Sequence, residues 1–185
     1  MISSTFNIGP ATIHLYGVII AAAILIGWQL AARRASLYKI NKVYLEDPLL
    51  FIPLALSIFS ARMYHVLHYL DFYKNNSTSV WQINNGGLGI IGGLIGLVIG
   101  IYIVSSVRKL NFLTVLDLIS PSIILGQAIG RLGNWINQEG FGPPTSLPWK
   151  VFIEPSHRPQ KFLSSSYFHP TFFYEMFLDL IFFVL

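Results

Sequence analysis

The chain has 185 residues, of which 54% are hydrophobic and only 11% charged, with no cysteine and a formal net charge of +4. A soluble domain commonly carries about 25% charged residues, so this composition excludes an ordinary water-soluble globule and points to an integral membrane protein. The absence of cysteine excludes disulfides, thiolate metal sites and a cysteine nucleophile from these residues, and the short, scattered cationic clusters suggest topology and anionic lipid rather than nucleic acid.

A hydrocarbon core needs about 20 apolar residues in helix to cross it. The chain offers four such runs, predicted near 14–32, 48–69, 87–107 and 112–129, and part of a fifth at 170–185. The expected architecture is an all-α polytopic bundle forming one transmembrane domain over 1–185. The first run is too long for a cleaved signal and ends on Arg33 and Arg34 with no small-residue cleavage site. Arg33, Arg34, Lys39 and Lys42 follow the first run and Arg108 and Lys109 the third, against Lys74 alone after the second. Counting cations this way places the N-terminus outside and delivers the end of the fourth run to the extracytoplasmic side.

The second run carries Arg62 at its middle, where a guanidinium costs at least about 2.5 kcal/mol on insertion scales. Either it faces a ligand phosphate or it pairs with Asp117 or Glu175 across the bundle. His65 and His68 lie three apart with no acidic residue placed to complete a metal site, so no metal is expected. The third run holds Gly87, Gly89, Gly92, Gly93, Gly96 and Gly100, preceded by Gly86. Positions 92, 96 and 100 share one face, which suits tight helix contact or room for an acyl chain.

After the fourth run comes Gly130–Gly142, GRLGNWINQEGFG. In helix, Arg131, Asn134 and Gln138 share a face, while Gly130, Gly133 and Gly140 are expected to break the turn into a re-entrant loop. Arginine can hold phosphate oxygens in pairs and asparagine amides can donate to a phosphate or a glycerol hydroxyl, so the direct reading is a phospholipid head-group site. Residues 143–168 form a long polar loop rich in proline and serine, expected outside the membrane, with Trp149, Phe152 and Phe162 as interfacial anchors. His169 and Pro170 then start the last run, placing Tyr174 and Glu175 just inside it.

These motifs resemble the bacterial prolipoprotein diacylglyceryl transferases over nearly the whole chain. The family signature GRxGNxxNxExxG stands here as Gly130, Arg131, Gly133, Asn134, Asn137, Glu139 and Gly142. Three further blocks agree in order: His14-Leu15-Tyr16-Gly17, the glycine-rich GGLGIIGGLIG from Gly86, and His169-Pro170-Thr171 followed by Tyr174-Glu175. Arg62 resembles the family's arginine of the second span.

The resemblance implies transfer of a diacylglyceryl group from phosphatidylglycerol to the lipobox cysteine thiol of a prolipoprotein signal peptide, with release of glycerol phosphate. It implies no cofactor, and a location in the bacterial cytoplasmic membrane among membrane lipid. Arg131, Glu139 and Tyr16 are expected to be catalytic; Arg131, Asn134, Asn137, Gly142, Arg62 and His14 are expected to bind phosphatidylglycerol. Two departures stand out. Ile91 replaces a histidine found in many members, which suggests as the alternative a non-catalytic phospholipid-binding relative. Members also continue through further spans past the position of Leu185, where another active-site arginine is expected.

Overall fold

A computed structural model describes residues 5–8, 11–75, 77–82 and 87–185; Gly86 lies outside the described residues. The elements run β1 (Thr5–Ile8), β2 (Ala11–His14), α1 (Leu15–Arg34), α2 (Phe51–His68), α3 (Leu70–Asn75), α4 (Ile90–Val107), α5 (Phe112–Asn137), β3 (Val151–Phe152), β4 (Tyr167–Phe168) and α6 (Thr171–Val184). The fold is helical, as expected, with two short antiparallel hairpins, β1–β2 and β3–β4, added to it. Four helical segments, Leu15–Tyr38, Pro48–His68, Ile90–Val107 and Phe112–Asn137, are long and apolar enough to cross a membrane. The chain forms two compact units, Met1–Arg33 with Ile119–Leu185, and Arg34–Leu118.

In the second unit, α2 and α4 pack antiparallel at backbone distance. A Cβ added at Gly92 would strike the Ser60 carbonyl, one at Gly96 the Leu56 carbonyl, and one at Gly100 the Pro53 backbone. The four-residue spacing of these glycines therefore serves helix contact, and Ser57 Oγ seals it by donating to the Gly93 carbonyl at 2.9 Å. Asp47 caps the turn Pro48–Leu50 by accepting from the Leu49 N–H at 3.0 Å and also pairs with Arg108, which follows α4.

Arg62 is 3% exposed and organises the segment that leads into α4. Its Nε donates to the Val80 carbonyl at 2.7 Å, Nη1 to Gly87 at 3.0 Å, and Nη2 to Ser79 at 2.6 Å and Gln82 at 3.3 Å. The Tyr73 ring lies 5.4 Å from the guanidinium carbon. Gly87 has φ +79°, and a Cβ there would come within 2.6 Å of Arg62 Nη1 and 2.7 Å of His65 Nε2, so both backbone and space demand glycine.

In the first unit, α1 and α5 also run antiparallel. Added Cβ atoms at Gly27, Gly130 and Gly133 would meet Ser122, Ile20 and Tyr16 respectively. This overturns the expectation that Gly130 and Gly133 break the turn: α5 continues through both to Asn137. At Gly133 the reason is space, since a Cβ would lie 2.5 Å from the Tyr16 ring. The chain leaves the helix only at Gln138 (φ +53°) and Gly140 (φ +66°). His14 closes β2 opposite Thr5, so α1 starts one residue later, at Leu15.

Gly96→Ala should destabilise the α2–α4 pair by about 1–3 kcal/mol, because the obstacle is backbone. Gly126→Ala, with open space around it, should be neutral or stabilising by up to about 1 kcal/mol. Thermal unfolding in detergent compares the two. Arg62→Ala leaves four part-buried carbonyls without this donor and should cost roughly 1–3 kcal/mol, with faster amide exchange over residues 79–82 as the local signature.

Candidate functional site

The signature motif is the last two turns of α5 and the bend that follows. Glu139 N–H donates to the Asn134 carbonyl at 2.9 Å and Gln138 N–H to the Trp135 carbonyl at 3.2 Å, closing the helix while the left-handed Gln138 and Gly140 turn the chain away. Gln138 thereby leaves the face expected for it; its Oε1 accepts from the Glu154 N–H at 2.6 Å.

The polar side chains on this end are linked in series. Arg131 Nη1 leans on Asn134 Oδ1 at 3.4 Å, Asn134 Nδ2 donates to Glu139 Oε1 at 3.3 Å, and Asn137 Nδ2 reaches the same oxygen at 3.4 Å. The carboxylate paired directly with Arg131 is Glu175 of α6, bound to Nη2. Arg131 Nε is buried without a partner. Tyr16, against Gly133, stands within electrostatic reach of both Arg131 and Glu139.

The start of α6 is fastened to the same bend. Thr171 Oγ1 donates to the Gly140 carbonyl at 2.5 Å, Gly142 N–H to the His169 carbonyl at 2.9 Å, and His169 N–H to the Pro143 carbonyl at 3.0 Å. A Cβ on Gly142 would lie 2.8 Å from Thr171 Cγ2 and 3.0 Å from His169 Cβ, so this glycine holds two segments together. Tyr174 Oη accepts from Trp149 Nε1 at 2.7 Å and lies 3.1 Å from His169 Nδ1. The polar stretch is itself folded: Ile153 and Phe168 are buried, and Arg158 ties it by donating to the carbonyls of Ile153 at 2.8 Å and Leu163 at 3.1 Å.

Of the expected site residues, Arg131, Asn134, Asn137, Glu139, Gly142 and Tyr16 thus gather at the end of α5. His14 is exposed at the end of β2. Arg62 belongs to the other unit, where it lines a cavity of about 330 Å³ with His65, Phe72, Tyr73, Ser79, Gln82 and Gly87. His65 and His68 join an aromatic cluster, His65 4.7 Å from the Tyr69 ring and His68 4.9 Å from it. Sequence reasoning missed the pairing of Glu175 with Arg131. A carboxylate in an apolar helix signals a cationic partner, but two arginines were available and spacing does not choose between them.

A guanidinium at a helix end, flanked by two amides and a tyrosine, has the donors to hold an anionic phosphate ester. The family model described as prolipoprotein diacylglyceryl transferase matches residues 3–185. Among similar proteins, the phosphatidylglycerol–prolipoprotein diacylglyceryl transferase of Acaryochloris marina is 43% identical over 170 residues, covering 92% of this chain and 62% of the relative. The protein of the same name from Nostoc sp. is 42% identical over 179 residues, 97% of this chain and 63% of its own length. That of Thermosynechococcus vestitus is 40% identical over 172 residues, with coverages of 93% and 64%. The chain spans a little under two thirds of the length of these curated relatives. With the complete signature gathered at one helix end, four membrane-length helices and this breadth of similarity, the chain belongs to the prolipoprotein diacylglyceryl transferase family.

Proposed function

We propose that this protein transfers the diacylglyceryl group of phosphatidylglycerol to the lipobox cysteine thiol of a prolipoprotein, at the outer face of the bacterial cytoplasmic membrane. The observation that carries the reading is the linked set Arg131–Asn134–Glu139–Asn137 at the end of a membrane-length helix, inside the intact family signature. Family membership supports it from a second direction.

The chemistry assigns the roles. A thiol with an ordinary pKa of about 8.5 must lose its proton before the sulfur attacks. A sulfur–carbon bond then forms at the glyceryl carbon as that carbon's bond to the phosphate oxygen breaks, and the electron pair leaves with glycerol phosphate. Arg131 offsets the charge that gathers on the departing phosphate. Asn134 and Asn137 orient the head group, and Tyr16 hydrogen-bonds its glycerol or phosphate from α1. Glu139, held by both asparagine amides through Oε1, keeps them aligned and supplies a second oxygen for the thiol proton. Ile91, 55% exposed on α4, has no titratable atom, so the acceptor comes from another residue. Gly142 contributes by joining the bend to the start of α6, and Arg62 by holding the segment before α4.

Arg131→Ala, in a chain extended to family length, should lower transfer from labelled phosphatidylglycerol to a lipobox peptide by about a hundredfold or more, as when a transition-state donor is removed. Arg131→Lys should recover little, because a point charge cannot replace the paired fork. Normal transfer by the alanine variant would overturn the assignment. Phosphatidylglycerol binding without transfer by the extended chain would favour a lipid-binding protein instead.

The orientation follows from the cation counts: N-terminus outside, residues 143–168 extracytoplasmic. Because the chain lacks cysteine, single replacements report sidedness directly. In intact cells an impermeant maleimide should label Ser156→Cys and leave Lys42→Cys unlabelled until the membrane is opened.

A further inference from the structure

Arg131 is already neutralised in this structure. Glu175 holds Nη2 from α6, with side-chain exposures of 25% for the arginine and 47% for the glutamate. A pair this open shifts an equilibrium by no more than about fivefold, so an incoming anion can replace the carboxylate. The displaced carboxylate stays close, because the Thr171–Gly140 and His169–Gly142 bonds fasten the start of α6 to the bend. Asp179, further along α6, lies within electrostatic reach of both Arg131 and Glu175. Glu139 reaches Arg131 only through Asn134.

We infer that Glu175 is the exchangeable counter-ion of Arg131: it yields the guanidinium to a singly charged phosphodiester and drives off the more highly charged phosphate monoester. The identification of the monoester as a reaction product rests on the transferase reading; the counter-ion role rests on the ion pair alone. A phosphodiester carries one negative charge, whereas a monoester carries about 1.5 to 2 at neutral pH. A lone arginine prefers the monoester. An arginine with a tethered carboxylate beside it repels the monoester more, since repulsion scales with the product of the charges. Glu175 is thus a positioning residue that sets which phosphate Arg131 keeps.

The test compares two probes, glycerol 1-phosphate and its methyl phosphodiester, as competitors of phosphatidylglycerol bound to the family-length protein in nanodiscs. The unaltered protein should prefer the diester by about threefold, and Glu175→Gln should reverse the preference by strengthening the monoester about fivefold, the upper scale for a charge pair this open. Glu175→Asp should restore the original order. In turnover, Glu175→Gln should lower kcat together with the KM for phosphatidylglycerol and leave the first turnover near normal. A monoester preference in the unaltered protein overturns the inference, and this arm needs no variant to fold. An unchanged preference in Glu175→Gln, or a lost first turnover, overturns it equally. If the preference reverses while no version transfers diacylglyceryl, the transferase reading fails and the counter-ion role stands.

Discussion

An arginine placed in or beside an apolar helix must be met by charge or by hydrogen-bond acceptors, because the surroundings supply neither. The three arginines associated with membrane-length helices α2, α4 and α5 meet this constraint in three ways. Arg62 is surrounded by the carbonyls of a loop, Arg108 pairs with the capping carboxylate Asp47, and Arg131 shares itself between a glutamate and an asparagine. The kind of partner decides what each can do. Backbone carbonyls cannot leave Arg62 without the loop rearranging, so that arginine holds the segment before α4 in place. The partners of Arg131 are side chains, and side chains can turn aside for a ligand.

Glycine plays a matching part among the helices. On α4 it removes the side chains that would hold α4 away from α2, and on α5 Gly133 makes a recess for the Tyr16 ring. The same residue type therefore builds close backbone packing in one unit and seats the Tyr16 ring against α5 in the other. At Gly142 it does neither, and lets the bend after α5 touch the start of α6. These contacts explain why the polar groups of α1, α5 and α6 meet where α5 ends.

The remaining asymmetry at the site is electrostatic. One cation, Arg131, is approached by Glu175 directly, by Glu139 through an amide, and by Asp179 at longer range. Such a site suits a weakly charged anion that must also depart. A cluster of bare cations would bind phosphate more firmly and release it more slowly.

Much of this was legible from residues alone. Hydropathy and helix length determined the four membrane-length helices, since about 20 apolar residues have few other stable places. The signature residues announced a polar site at the end of the fourth, because charges do not persist there without a partner. The spacing of Gly92, Gly96 and Gly100 announced a close helix contact. Tertiary structure alone decided that Gly130 and Gly133 remain helical, since whether a glycine ends a helix depends on what packs against it, here the Tyr16 ring at Gly133. It alone gave Glu175 to Arg131 and the loop carbonyls to Arg62. A sequence names the charges that need partners, but long side chains reach several candidates, and only the packing of helices distant in the chain selects among them.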